Sequence, residues 1–178
     1  MSHEWAGLPC CTILASYCLI LPLRGRRWPS ILASIRWKSS FLPASQIIWG
    51  ASTGMYGTSS STVLPAVAGY GVILDIDVAD LMATGSKDIV ISRTGDGTGV
   101  GTYEGYHLQL VGNIGDKEFR DATAERISDN RDGQAGPASW IRLYDPDRDS
   151  DVDIVVDDYS GTGLLWVKGG GGGFRRRR

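Results

Sequence analysis

The chain has 178 residues, of which 42% are hydrophobic, enough for one packed domain, and its formal net charge of -2 conceals an uneven distribution. Residues 61–174 hold 19 acidic and nine basic side chains, which argues against binding of a nucleic-acid backbone there and favours a cation as partner. All three cysteines lie in the first 18 residues, which leaves the acidic part without a disulfide framework or a thiolate metal site.

Residues 1–60 differ from the rest of the chain. They hold four of the six tryptophans and show no sustained period of 2 or 3.6. The apolar run Cys10–Leu23 is too short to span a bilayer, and its basic cluster follows it instead of preceding it, so it is a poor export signal. We predict an irregular N-terminal segment over residues 1–60, either an unstructured extension or a stretch that is not native to the protein, with Met55 as the start.

Beyond Gly69 the chain consists of short apolar runs between acidic and glycine-rich turns. Six of these runs have the length of a strand and not of a helix, which predicts an all-β region. The runs are 72–74, 88–91, 107–111, 140–143, 153–156 and 164–167. The segment Phe119–Arg126 also fits a helical turn.

Two stretches of this region match at an offset of 65 residues. The sequence DLMATGSKDIV at 80–90 corresponds to DPDRDSDVDIV at 145–155, and an apolar strand, a glycine-containing turn and a phenylalanine follow each stretch. A period near 65 with about four strands per unit is typical of a propeller-type repeat. We therefore predict about two blades of an incomplete β-propeller, the first at 69–126 and a truncated second at 127–174, with a basic tail at 175–178.

The second stretch places a carboxylate at every other position of a nine-residue loop. These residues are Asp145, Asp147, Asp149, Asp151 and Asp153. In a plain extended strand they would share one face at a spacing of about 7 Å and repel one another. Ca2+ takes about six to eight oxygen ligands, and a loop wrapped around it can offer four of these side chains together with the backbone carbonyl of Asp151.

Two alternatives to a calcium loop are open. The loop could be a solvated acidic turn whose repulsion is screened by salt, and Mg2+ could replace Ca2+, although Mg2+ retains more of its water. The helix-loop-helix calcium motif is not matched beyond its first positions, because Ser150 stands where that motif has glycine and Val156 where it has glutamate. We predict Ca2+ as the cofactor of this loop.

The equivalent loop at 80–88 is poorer in ligands. Its candidate ligands are Asp80, Thr84 and Asp88. Met82 and Thr84 replace two of the carboxylates, and a thioether is a soft ligand that suits calcium badly. We expect this site to be weak or empty. Asp75 and Asp77 lie just upstream and either assist the loop or mark a solvated strand end.

The pattern D-x-D-x-D-G-x-x-D, followed by an I-V-V strand and a later G-x-G-x-F turn, resembles the VCBS / FG-GAP repeat family, which also builds the integrin α-subunit propeller. The resemblance covers about residues 69–174. In the second copy it rests on Asp145, Asp147, Asp149, Asp153, Ile154–Val156, Trp166 and Gly171–Phe174, and in the first on Asp80, Gly85, Asp88, Ile89, Val90 and Gly115–Phe119. The departures are Ser150, Met82 and Thr84. The resemblance implies a propeller blade with structural calcium, commonly in secreted or cell-surface proteins.

We therefore expect a non-enzymatic, calcium-stabilised module for binding or adhesion that belongs to a larger propeller outside the cell or on its surface. Its expected partners are calcium, a carbohydrate or protein ligand and further blades, with neither nucleic acid nor a membrane span. One alternative is the scaffold of an extracellular propeller enzyme, a hydrolase or lyase, whose catalytic residues lie outside these blades. A third is a truncated product that does not fold stably.

His107 is the one histidine within the repeats, and no nucleophile-elbow motif accompanies it. We predict a strand histidine here and no catalytic residue in the chain. The aromatic side chains of the repeats are expected to fill the core, with a surface subset that could stack on sugars.

Overall fold

In the computed structural model, which describes residues 31–34, 45–50, 56–96, 103–158 and 163–177, the chain is all-β. The strands form three antiparallel sheets. The N-terminal sheet has the order β1-β2-β3, with β1 at Ile31–Ser34, β2 at Gln46–Gly50 and β3 at Tyr56–Val63. The central sheet has the order β4-β5-β6-β7, with β4 at Val72–Ala79, β5 at Asp88–Asp96, β6 at Tyr103–Gly115 and β7 at Glu118–Asp121, and β8 at Arg131–Asp132 also pairs with β6. The C-terminal sheet has the order β9-β10-β11-β12, with β9 at Ala138–Tyr144, β10 at Asp153–Asp158, β11 at Leu164–Lys168 and β12 at Phe174–Arg177.

All six apolar runs that predicted strands lie within strands of the structure. The ambiguous segment is divided, since its first residues belong to β7 and Thr123–Arg126 form a single helical turn, α1. Among the described residues α1 is the only helix, and it is not long and apolar enough to cross a membrane. Chain neighbours pair within each sheet, because antiparallel strands need only short connections.

The central sheet is buried on both faces, because successive side chains of a strand point to opposite sides. On one side, Ile89 and Ile91 of β5 pack with Ile47 and Trp49 of β2. On the other side, Val90 of β5 joins a cluster with the C-terminal sheet. That cluster includes Leu108 and Leu110 of β6, Ile154 and Val156 of β10, Trp166 of β11 and Phe174 of β12, each 1% exposed or less. Burial on both faces explains the continuous apolar run of β5.

Two carboxylates of the central sheet hold the edge of the C-terminal sheet. Asp75 Oδ2 accepts a hydrogen bond from the backbone N–H of Ile141 at 3.0 Å, and Asp77 Oδ2 accepts one from Leu143 at 2.9 Å. Both donors lie on β9, which pairs with β10 along its other edge, so the carboxylates satisfy N–H groups of an edge strand. Asp75 and Asp77 therefore join two sheets, and they are neither a solvated strand end nor helpers of the first loop.

Regular strands lie within the segment that we predicted to be irregular. Residues 46–50 form β2, in which Ile47 is 1% and Trp49 is 8% exposed. Two buried residues are too short a pattern to reveal a period of 2, and the partners of β2 on β5 are distant in sequence. Strand β1 and the first residues of β3 also belong to this segment. Met55 and the apolar run Cys10–Leu23 lie outside the described residues, and the origin of the segment stays a prediction.

The arginine-rich end of the chain is a strand and not a tail over Phe174–Arg177. This strand, β12, pairs with β11, and the glycine run before it closes the hairpin. Gly169 donates its N–H to the carbonyl of Gly173 at 2.9 Å, and Gly172 has a φ of +74°, which glycine adopts without strain. The C-terminal sheet therefore has four strands, because pairing with β11 overrides the poor strand propensity of consecutive charged residues.

Candidate metal centre

Asp145 organises the second acidic loop. Its Oδ1 accepts backbone hydrogen bonds from Arg148 at 2.6 Å and Asp149 at 3.2 Å, and its Oδ2 accepts one from Ser150 at 2.8 Å. Arg148 and Ser150 have φ values of +64° and +76°, a region that residues other than glycine seldom occupy. The hydrogen bonds to Asp145 hold the loop in this conformation, and Ser150 adopts the conformation for which the family pattern has glycine.

The loop brings together three of the five predicted ligands. Asp145, Asp147 and Asp149 each present a carboxylate oxygen, and these oxygens lie within 4.8 Å of one another. Like charges at this separation repel strongly. The compensating contact on Asp147 is a long ion pair, in which Arg177 Nη1 lies 3.9 Å from Oδ2. The three carboxylates form an oxygen-only ligand set of the kind that a hard divalent cation prefers.

Asp153 lies at the base of the loop, where β10 begins, and it is 0% exposed. Its Oδ1 accepts the backbone N–H of Lys168 at 2.8 Å, but its Oδ2 has no hydrogen-bond partner among the described residues. Burial raises the pKa of Asp153, and the negative charges of Asp147, Asp149 and Asp145 raise it further. A buried carboxylate oxygen without a donor is costly unless a cation or proton satisfies it.

The side chain of Asp151 does not join the three clustered carboxylates. Its Oδ1 accepts a hydrogen bond from Lys168 Nζ at 2.9 Å, and the Lys168 side chain is only 12% exposed. The predicted use of the backbone carbonyl of Asp151 as a ligand stays a prediction. Lys168 was not singled out by the sequence, because the pairing of β10 with β11 alone brings it to the loop.

The first loop has the same backbone form as the second. Asp80 Oδ1 accepts the backbone N–H of Thr84 at 2.9 Å, and Oδ2 accepts that of Gly85 at 2.8 Å. Ala83 and Gly85 have φ values of +54° and +81°, and both lie 65 residues before the two positive-φ residues of the second loop. The conformation therefore does not depend on the acidic side chains that distinguish the second loop.

Asp88 ends the first loop, as Asp153 ends the second, but all of its acceptor groups have partners. Its Oδ2 accepts backbone hydrogen bonds from Leu81 and Met82, both at 2.9 Å, and its Oδ1 accepts one from Asn113 at 3.0 Å. Asp88 is 0% exposed, and backbone donors compensate for this burial. It is a structural carboxylate whose two oxygens both accept backbone hydrogen bonds.

Pro146 accounts for part of the difference between the two buried carboxylates. It stands 65 residues after Leu81, and proline has no backbone N–H. The donor that Leu81 gives to Asp88 is therefore missing beside Asp153. Our sequence reasoning missed Pro146, although the signal was available as a proline at the second position of the loop.

Met82, at the position equivalent to Asp147, belongs to the protein core. It packs against the cluster between the central and C-terminal sheets, and its Cε lies 2.3 Å from the place where a Cβ of Gly112 would stand. Within the described ranges, only the second loop holds a group of three histidine, cysteine, aspartate or glutamate side chains that could bind a metal ion. The weak or empty first site stays a prediction.

His107 is placed on β6, as predicted, and is 8% exposed. Burial lowers its pKa to about 4; attraction to Asp121 opposes this shift, and the charges of Arg93 and Arg131 add to it. Its Nδ1 has no hydrogen-bond partner in the described part of the chain. A buried, neutral imidazole is poorly placed to act on a substrate.

Comparisons with protein-family models, with curated proteins and with solved structures found no match to this chain. Any functional assignment therefore depends on the residues and geometry described above.

Proposed function

We propose that the chain is a non-enzymatic, calcium-stabilised repeat module of a larger β-propeller, used for binding or adhesion. The observation that carries the metal site is the buried Oδ2 of Asp153, which lacks a partner beside three clustered carboxylates. Calcium at the second loop would satisfy this oxygen and neutralise the cluster. The ion would stabilise the fold and take part in no reaction.

The chemistry of the loop favours calcium over other ions. The ligands are carboxylate oxygens, with no histidine or cysteine within the loop sequence, which disfavours zinc and copper. Two of the carboxylates, Asp147 and Asp149, are exposed on a loop that can adjust to a large coordination shell. Millimolar calcium outside cells suits an exposed loop of this kind, which supports an extracellular or cell-surface location.

The paired loops and the layered sheets support the propeller repeat. Both loops have positive φ at matching positions, and each precedes a strand that begins with a buried aspartate. The central sheet is covered on both faces, so a repeat of this kind buries its apolar surface by stacking on its neighbours.

One face of the C-terminal sheet supports further blades as partners. Val90 and Leu110 pair across the central sheet and are 0% exposed beneath the C-terminal sheet. Their counterparts Val155 and Leu165 pair in the same way but are only partly buried. Trp140, on the neighbouring strand β9, is 37% exposed. A further sheet packed here would bury these residues, and carbohydrate or protein ligands would bind to the assembled propeller.

Calcium titration of the full chain by calorimetry, together with thermal melts, tests the metal site. We expect about one ion per chain and an increase in the free energy of unfolding of about 2.7 kcal/mol at a calcium concentration of 100 times Kd. The variant Asp147→Asn/Asp149→Asn removes two ligands and should abolish both effects.

The matched control is Glu104→Gln/Glu118→Gln, which removes the same charge from exposed positions outside the loop. It should bind calcium as the parent does. An equal loss of calcium binding in the control would mean that binding depends on the general acidity of the chain. A folded parent without saturable calcium binding would mean that the loop is a solvated turn. Turnover on glycan or peptide substrates would instead favour the enzyme-scaffold alternative.

A further inference from the structure

A groove of about 180 Å³ separates the first loop from the C-terminal hairpin. Leu81, Met82 and Ala83 line one side, and Lys168 and the glycines of the β11–β12 turn line the other. Arg126, the last residue of α1, also lines it. The groove is distinct from the carboxylate cluster, since Asp151 is the one acidic residue of its described lining.

Arg126 has donors that the described protein groups leave unused. Its Nε is buried and has no hydrogen-bond partner among the described residues, and the carboxylate oxygen Glu125 Oε1 lies 4.0 Å from it. Its Nη1 makes one long hydrogen bond, of 3.5 Å, to the carbonyl of Gly172. A guanidinium has five N–H donors and binds planar or tetrahedral oxyanions through two of them at once.

Lys168 adds a second cation to the same groove. Its ammonium is mostly buried and has three N–H donors, one of which is directed to Asp151 at 2.9 Å. The adjoining turn at Gly170 and Gly171 carries no side chains, and nothing lies within 4 Å of the place where a Cβ would stand at either residue. The backbone of the turn is therefore open to close approach by a ligand.

The size and charge of the groove select the ligand class. A volume of about 180 Å³ corresponds to roughly six water molecules. This matches the size of one small oxyanion. Two cations and one carboxylate line the groove, which leaves a positive balance. We propose that Arg126 and Lys168 form a binding site for a small tetrahedral oxyanion of the sulfate and phosphate class.

The two sites are electrostatically coupled through Asp151, which lies within the acidic loop and pairs with Lys168. Calcium in the loop reduces the negative potential at the groove, so it should tighten oxyanion binding. The site does not require calcium, however, because its cations and open turn are already in place.

Sulfate is the probe, since it does not precipitate with dilute calcium. The full 15N-labelled chain is freed of metal with a chelating resin and titrated while the Arg126 Nε–H and Gly170 amide resonances are followed by NMR. We expect saturable shifts of both signals. Arg126→Gln should weaken sulfate binding at least tenfold, Lys168→Gln should also weaken it, and Arg131→Gln, at an exposed arginine of β8, should leave it unchanged.

An unchanged sulfate affinity in Arg126→Gln, or the absence of saturable shifts in the folded parent, would overturn the proposal. Because this titration is carried out without calcium, its failure is separate from failure of the calcium site. A melting curve of each variant distinguishes loss of the ligand site from loss of the fold.

Discussion

The loops at 80–88 and 145–153 have the same backbone conformation, but they differ in the hydrogen-bond donors that they offer to the buried carboxylate at the end of the loop. In the first loop, Asp88 receives three backbone hydrogen bonds and Met82 fills the adjacent core. In the second, Asp153 has one unpartnered oxygen and three carboxylates beside it. The two loops therefore share a conformation that does not depend on acidic side chains, and they differ in whether the buried carboxylate is already satisfied.

The first loop should therefore be stable by itself, and the second should depend on its surroundings. Asp88 obtains three donors from the chain, whereas Oδ2 of Asp153 has no hydrogen-bond partner among the described residues. Substitutions in the two loops and the pH dependence of stability test this difference.

Asp88→Ala should produce the largest effect. It leaves the backbone N–H groups of Leu81, Met82 and Asn113 without their acceptor. All three hydrogen bonds are buried or partly buried. We expect a loss of about 3–5 kcal/mol in the free energy of unfolding by urea. The loss should be equal with and without calcium. A loss that calcium reverses would mean that the first loop also binds the ion.

Asp153→Asn should have opposite effects in the two conditions. Without calcium, an amide in place of Oδ2 donates toward the neighbouring carboxylates and removes one negative charge, so we expect a gain of about 1–2 kcal/mol in unfolding free energy. With excess calcium, the variant should lack most of the stabilisation that the parent gains. Thermal melts in both conditions measure the two effects, and a loss of stability without calcium would contradict the prediction.

The pH dependence of stability in the parent and in Asp153→Asn provides a second test of the state of Asp153. The pKa of Asp153 is raised above its ordinary value of 3.8, so the folded, calcium-free protein binds more protons than the unfolded chain just above that pH. The contribution of Asp153 to stability is therefore lost as pH rises through this window. The difference between parent and Asp153→Asn should show this slope. His107, whose pKa is lowered to about 4, gives the opposite slope up to its ordinary 6.5 and cancels in the difference.

Pro146→Ala should have the smallest effect on stability and a specific effect on metal binding. Alanine at position 146 restores a backbone N–H equivalent to the one that Leu81 donates to Asp88. Because alanine also increases the conformational entropy of the unfolded chain, the net change in the free energy of unfolding should stay within about 1 kcal/mol. The restored donor competes with calcium for Asp153 Oδ2, and we expect calcium affinity to fall roughly three- to tenfold. Pro137→Ala, outside the loop, is the control. Unchanged affinity in Pro146→Ala would mean that the missing donor does not govern binding.

Periodicity and spacing were sufficient for six strands of the central and C-terminal sheets and for the acidic loop. These strands are β4, β5, β6, β9, β10 and β11. The six apolar runs are local patterns, and the alternation of aspartates is visible within nine residues. Strand β2 escaped prediction because only two buried residues mark it. Strand β12 escaped because its arginines argue against a strand, and only pairing with β11 decides otherwise.

By itself, the sequence determined that the chain is rich in β-strands, that two loops match at an offset of 65 residues and that one loop concentrates carboxylates. Tertiary structure alone decided which oxygens are left free. Backbone donors from within the loop and from β6 satisfy Asp88, while Lys168 approaches only one oxygen of Asp153 and Asp75 reaches across to another sheet. The donors Asn113 and Lys168 come from strands outside the loops, and hydrogen bonding depends on distance and direction in space, which residue spacing does not specify.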